Sequence, residues 1–250
     1  MRGELHVELR FDARRQSVTT TNMRIAEIFY SIQGEGRLTG VPSAFIRMSG
    51  CNLRCAWCDS DYTSWNPEGE PLAIAEILDR IATFPTRHVV VTGGEPLIAP
   101  EIEELCSGLR ERKYHITVET AATVFRPVAC DLASLSPKLT NSIPHEREGG
   151  RFASKHDHLR LRLDVIQAFM DRSDHQLKFV VDRAEDLQEV LAILGKLHGV
   201  DTSKVLLMPQ GISRQELHER GRWIVEACKR HGFRFCPRLH IELFGNVRGT

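Results

Sequence analysis

Two hydrophobic periods alternate along the chain. Short apolar runs rich in β-branched side chains occupy 45–49, 88–92, 115–119, 132–135, 176–181 and 204–208, and read as buried strands. Between them, 72–83, 100–112, 159–171, 184–197 and 213–231 repeat apolar residues at helical spacing. Ser213 followed three residues later by Glu216 is a capping-box signature for the last of these helices, and Gly232 is its stop. Strands alternating with helices predict a parallel sheet under helical cover. Six strands are too few for a closed eight-stranded barrel. The expected fold is therefore α/β, a partial and open parallel barrel of about six strands. Residues 138–158 are polar and irregular and read as a long surface loop. Residues 1–22 are polar, contain Arg2, Arg10, Arg14 and Arg15, and lack the apolar core of a signal peptide. They are expected to be a poorly ordered extension ahead of a single domain over 23–250.

Composition narrows the class without naming a reaction. A length of 250 residues suits one undivided α/β domain, and 42% hydrophobic content is enough for a normal core. Lys+Arg and Asp+Glu balance at 33 each, so no global field draws the chain to nucleic acid or to a membrane surface. No apolar run is long enough to span a bilayer. Seven cysteines, three of them clustered, argue for a reducing cytoplasm rather than a disulfide framework.

The cluster carries the chemistry. Cys51, Cys55 and Cys58 stand at a C-x₃-C-x₂-C spacing, with Gly50 before them and Asp59-Ser60 after. Three soft ligands this close converge only if the backbone wraps one centre. Structural zinc usually takes four ligands, and no second C-x₂-C pair occurs, since Cys106, Cys130, Cys228 and Cys236 are scattered singly. Three thiolates suit a [4Fe–4S] cluster with one iron open to a non-protein ligand. Trp57, just before the third cysteine, supplies apolar cover. The rival readings are a zinc knuckle completed by a remote residue and a chance grouping of loop cysteines.

This spacing with its preceding aromatic resembles the radical S-adenosylmethionine (SAM) superfamily. Ile32-Gln33-Gly34-Glu35-Gly36, Pro42-Ser43-Ala44-Phe45-Ile46-Arg47 and the stretch from Gly50 to Ser60 together resemble the 7-carboxy-7-deazaguanine synthase family of the queuosine pathway. The resemblance runs from about Met23 to Thr250. It implies a partial barrel, a [4Fe–4S] cluster on Cys51, Cys55 and Cys58, and SAM bound at the open iron. It also implies Mg²⁺, a pterin substrate, an electron donor such as a flavodoxin, and a homodimer. The implied reaction takes 6-carboxy-5,6,7,8-tetrahydropterin to 7-carboxy-7-deazaguanine with loss of ammonia. The nearest alternative is another radical SAM activity, such as a glycyl-radical activase; a zinc-stabilised binding module is the rival from a different class.

The resemblance also distributes roles. SAM contacts fall to Trp57, Cys58, Asp59, Gly94, Glu95, Ser136, Pro137, Lys138, Met208, Pro209, Gln210 and Gly211. Glu95, in Thr92-Gly93-Gly94-Glu95-Pro96, is expected to hold the SAM amino group; as residues alone, this stretch is an ordinary strand-to-helix turn with a solvated charge. Lys138 alone would be a surface cation, and Met208 to Gly211 a turn. Substrate contacts fall to Ile32, Gln33, Gly34, Arg47, Thr92 and Thr250. A glutamine offers donor and acceptor to a pterin edge, and an arginine pairs bidentately with a carboxylate. The plain alternatives are a polar turn for Gln33 and a paired buried charge for Arg47. Ser60 matches the Mg²⁺ position. One hydroxyl holds that ion only with waters and substrate oxygens beside it. Asp59 reads as an orienting group, and Lys178 as a side chain in the barrel interior. The histidines show no ligand spacing and receive no role. The apolar end from Cys236 to Thr250 is expected to dock.

Overall fold

The computed structural model describes residues 22–250; the extension read over 1–22 lies, except for Asn22, outside the described residues. In chain order the strands are β1 (Asn22–Ile32), β2 (Pro42–Met48), β3 (Glu70–Ala73), β4 (His88–Gly93), β5 (His115–Thr120), β6 (Leu132–Leu135), β7 (His175–Val181), β8 (Val205–Pro209) and β9 (Arg234–Phe235). The helices are α1 (Asp61–Ser64), α2 (Ile74–Ala82), α3 (Ile102–Glu111), α4 (Ala153–Leu159), α5 (Leu163–Arg172), α6 (Asp186–Leu194), α7 (Arg214–His231) and α8 (Leu239–Phe244). One sheet takes the strands in the order β3-β1-β2-β4-β5-β6-β7-β8-β9 and stays open.

The six expected strands are β2 and β4 to β8, all parallel to one another, and β9 continues them. Their near-continuous burial is what a parallel sheet covered on both faces requires: every residue of β7 and β8 is buried. The count of six falls short because β1 and β3 were not read as strands. Both pair antiparallel, β1 with β2 from Ile25↔Met48 to Ile32↔Pro42, and β3 with the start of β1. Leu72, expected in a helix, instead faces Met23 across β3, and the helix begins at Ile74.

Helix faces follow the predicted periodicity. Ile74, Ile77, Leu78 and Ile81 of α2 and Ile102, Leu105, Cys106 and Leu109 of α3 enter the same core as Val89, Val91, Ile116 and Val118. The Ser213–Glu216 capping box opens α7, and Gly232 closes it at φ 70°. Between β6 and β7 the polar stretch 138–158 is not a plain surface loop. It tucks Ser142 and His156 into the interior and ends in α4, so the helix expected over 159–171 is α5, starting at Leu163. Among the described residues no helix is long and apolar enough to cross a membrane.

Residues 33–38 close the barrel at the N-terminal edge of the parallel strands. After β1 they run across to β7, where the Arg37 N–H donates to Gln176 Oε1 (2.8 Å) and the Gly36 N–H to Cys236 Sγ (3.0 Å). The Leu239 N–H donates to the Gly34 carbonyl at 2.9 Å, which ties the C-terminal segment to the same crossing.

Candidate active site

Above that floor, at the carboxyl ends of the strands, lies a cavity of about 850 Å³. Cys51, Cys55 and Cys58 line it together from the loop after β2. Burial pushes the Cys51 thiol up to about 12 and raises Cys55 and Cys58 too, with the neighbouring sulfurs adding to the rise. Only a strongly positive centre would draw off three such protons. The Leu53 N–H points at Cys51 Sγ (3.4 Å), and the Ser64 hydroxyl lies 3.2 Å from Cys58 Sγ. Trp57, which also lines the cavity, packs against the small apolar group of Val180, Leu206, Met208 and Cys236.

The turn after β4 fits against this loop through its glycines. Gly93 has φ 134°, and a β-carbon on Gly94 would stand 2.0 Å from the Gly50 carbonyl oxygen and 2.9 Å from Cys51 Cβ. The Gly94 N–H donates to the Met48 carbonyl (3.1 Å), and the Glu95 N–H to the Gly50 carbonyl (2.9 Å). Only bare backbone lets the turn come this close.

Glu95 departs from its expected role. Its carboxylate is buried off the cavity wall, where it accepts from Thr120 Oγ1 (2.7 Å), the Ala121 N–H (2.9 Å) and the Leu97 N–H (3.2 Å). Burial raises its pKa against those three hydrogen bonds. The side chain fastens the end of β5, and since both N–H groups are engaged, the backbone of Gly94 and Glu95 offers a ligand carbonyl oxygens only. Pro137, Pro209 and Gly211 also sit off the wall, while Gly94, Ser136, Lys138, Met208 and Gln210 line it. Lys138 Nζ donates to the carbonyl (2.7 Å) and hydroxyl (2.9 Å) of Ser136.

Much of the remaining lining is polar. Ile32, Gln33, Gly34, Arg47, Thr92 and Thr250 all line the cavity, as do Asp59 and Ser60. Gln33 Nε2 donates to Glu119 Oε1 (3.1 Å), and Thr92 Oγ1 donates to Glu119 Oε2 (3.0 Å). Arg47 lies over the Phe29 ring with Nε 3.0 Å from Glu27 Oε2. That N–H is not aimed at the carboxylate, so a buried nitrogen stands without a hydrogen-bond partner. The C-terminal segment docks only in part: Cys236, Arg238 and Ile241 are buried and Arg248 stacks on Tyr62 at 3.4 Å and pairs with Glu68 at 2.8 Å, but the apolar Leu243, Phe244 and Val247 stay exposed.

A chain of buried charges backs this lining. Asp59 pairs with Arg238, Arg238 with Glu35 at 3.1 Å, Glu35 with Lys178, and Lys178 with Glu119 at 3.9 Å. Burial would raise the Glu35 pKa, but Lys178 and Arg238 together outweigh it and hold the carboxyl well below its ordinary range. Burial likewise opposes the charge on Lys178, and Glu35 and Glu119 overcome it, so the ammonium persists.

Residues 45–144 match the Radical SAM superfamily model. A 7-carboxy-7-deazaguanine synthase from Rhodopirellula baltica is 43% identical over 96% of this chain and 92% of its own length. The chain belongs to the 7-carboxy-7-deazaguanine synthase family. A second such synthase, from Halobacterium salinarum, is 39% identical over 90% of the chain and 92% of its own length. The crystal structure of QueE from Escherichia coli superposes with a TM-score of 0.64 at 25% identity, covering 86% of this chain and 93% of that one.

Membership makes the protein a radical SAM enzyme, which implies a [4Fe–4S] cluster and SAM. The donor set fits. Three thiols, and among the described residues no fourth, line one cavity. Among the described residues no three His, Cys, Asp or Glu side chains close around a single ion, and a cluster sets each thiolate on a different iron. Sequence reasoning missed Glu119, Arg238 and His240 on the wall, and read Glu35 as part of a polar turn. Burial of a charged or polar residue inside an apolar strand was the available signal for Glu119 alone.

Proposed function

We propose that this chain converts 6-carboxy-5,6,7,8-tetrahydropterin to 7-carboxy-7-deazaguanine with loss of ammonia. The observation that carries the proposal is one cavity lined both by the three thiols with the Gly93-Gly94 backbone and by hydrogen-bonding groups such as Gln33, Arg47 and Thr92. Cys51, Cys55 and Cys58 would hold the cluster. Trp57, Cys58, Asp59, Gly94, Ser136, Lys138, Met208 and Gln210 would line the SAM side, with Glu95 contributing backbone only and Pro137, Pro209 and Gly211 shaping the turns behind. When bound, cluster and SAM supply the one-electron chemistry that removes a hydrogen atom from substrate.

The rest of the work is positioning. Gln33, fixed through its amide to Glu119, presents a set donor–acceptor edge to a pterin, beside the backbone of Ile32 and Gly34. Thr92 spends its proton on Glu119, so towards a ligand its oxygen only accepts, which suits an amino group. Arg47 lines the cavity while paired with Glu27, and its guanidinium suits the substrate carboxylate, with Thr250 on the same lining. Ser60 offers one hard oxygen 3.4 Å from Asp59 Oδ1. Mg²⁺ held there would draw its remaining ligands from water and the substrate carboxylate, a templating role. We further infer a flavodoxin-type electron donor, a homodimer, a reducing cytoplasm, and a single functional domain over 23–250.

The test is anaerobic turnover of the carboxy-tetrahydropterin with SAM, a reductant and Mg²⁺, followed by mass spectrometry. A product mass showing loss of ammonia supports the reading. SAM cleavage that leaves the pterin unconsumed would move the chain to another radical SAM activity, such as a glycyl-radical activase.

A further inference from the structure

Between Cys51 and Cys58 the one internal backbone–backbone bond is Cys58 N–H to the Cys55 carbonyl at 3.4 Å; the Arg54 guanidinium caps the carbonyls of Cys51 (2.8 Å) and Leu53 (2.7 Å), and the Leu53 N–H points at Cys51 Sγ. The loop's buried amides find partners instead in the β6–β7 connection. The Arg54 N–H donates to His156 Nδ1 at 3.0 Å, and the Ala56 N–H to the Ser142 carbonyl at 2.8 Å. These two amides flank Cys55 on either side. The Trp57 indole N–H donates to the Asn141 carbonyl at 3.0 Å. From within the loop's own continuation, the Trp65 indole N–H reaches the Cys55 carbonyl at 3.0 Å.

His156 and Ser142 join these contacts into one unit. Ser142 Oγ has a single proton and gives it to the Leu139 carbonyl at 2.6 Å. At the 2.9 Å contact with His156 Nε2, the hydroxyl must therefore accept and the ring donate. Nδ1 is then the unprotonated nitrogen, as its contact with the Arg54 N–H requires. Both ring nitrogens are used, in one tautomer, on a neutral side chain that is 1% exposed. No other neutral side chain carries an acceptor and a donor on opposite sides of a rigid ring.

We propose that His156, with Ser142, is a positioning residue for the iron–sulfur cluster. It holds the turn at Cys55 in the shape the cluster needs before the cluster arrives. An irregular loop that must set three sulfurs on three irons would otherwise sample many conformations, and ordering it would oppose binding. The neutral ring also lets a hydrogen-bonded anchor sit near Lys138 and Arg160 without adding a third cation. The proposal rests on the cluster-bearing reading of Cys51, Cys55 and Cys58.

The test uses the full-length holoprotein and three variants, His156→Phe, His156→Asn and Ser142→Ala. Iron and sulfide content, the EPR spectrum of the reduced cluster, and the rate of iron loss to a ferrous chelator are measured anaerobically. His156→Phe removes both bonds, and iron should be lost at least about ten times faster, with a broadened EPR signal. His156→Asn restores an acceptor near Nδ1 and should recover to within about three-fold of the parent, a rescue that lost core volume alone would not give. Ser142→Ala removes the Nε2 partner but keeps the carbonyl that holds Ala56, and should fall between the two. If His156→Phe does not fold, the graded pair of Asn and Ala variants decides. Iron release and EPR at parent values in the Ala variant, or an Asn variant as labile as Phe, would overturn the proposal. A parent protein that takes up no cluster would instead overturn the reading on which it rests.

Discussion

Glu35→Gln tests whether the buried charge chain is held together at Glu35. The side chain is 13% exposed, and its two partners, Lys178 and Arg238, are 5% and 8% exposed. Removing one member of a buried pair costs about 3–5 kcal/mol, because the remaining charge stays desolvated. Here each cation keeps a second partner, Glu119 at 3.9 Å for Lys178 and Asp59 for Arg238, which argues for the lower end, about 3 kcal/mol. For a domain of this size that is roughly a 6–12 °C fall in Tm. Anaerobic calorimetry or chemical denaturation of Glu35→Gln, Lys178→Met and the double variant gives the cycle. The double variant should be more stable than the sum of the singles by at least about 1.5 kcal/mol, since no ammonium remains at position 178 to need a counter-charge. Because the Glu35 pKa lies below its unfolded value, this stability is present above the ordinary carboxylate range and is lost only as pH falls towards the folded pKa. The parent's advantage over Glu35→Gln should therefore persist at pH 5. A coupling within about 0.5 kcal/mol of zero would refute the reasoning.

Other outcomes follow from the same geometry. Ala in place of Cys51, Cys55 or Cys58 should abolish the brown cluster, whereas Ala at Cys106 or Cys228, buried in the core away from the cavity, should leave the visible spectrum intact. Gly94→Ala should cost cluster content as well as stability, because its new methyl meets the Gly50 carbonyl and Cys51; iron analysis and melting temperature check both. His156 has its pKa pushed down to about 4, chiefly by burial, so the stability it contributes is complete above pH 6.5 and declines between 6.5 and about 4. The parent should lose on the order of 3 kcal/mol more than His156→Asn across that window, read from denaturation at successive pH values.

The parallel strands and α7 were legible because their evidence is local: apolar period, length and cap lie within a few residues of each other. The cysteine spacing was legible for the same reason. β1 was not, since its eleven residues mix exposed and buried positions and become a strand by pairing with β2 and β3. Glu35 looked like a turn residue because its partners stand 143 and 203 positions away. His156 looked idle for a related reason: its role lies in two hydrogen bonds to distant segments, not in any ligand spacing. Glu95 has partners that a sequence motif does not show, as Thr120 and Ala121 hydrogen-bond its carboxylate.

The crossing at residues 33–38 has a kinetic consequence. Gly36 fastened to Cys236, Arg37 to Gln176 and Gly34 to Leu239 cover the N-terminal edge of the strands. Gln33 and Glu35, rising from the crossing, line the same cavity as Cys51, Cys55 and Cys58. On the proposed reading, two molecules held in that one cavity would bind in a compulsory order, which product-inhibition patterns test; random-order patterns would count against it.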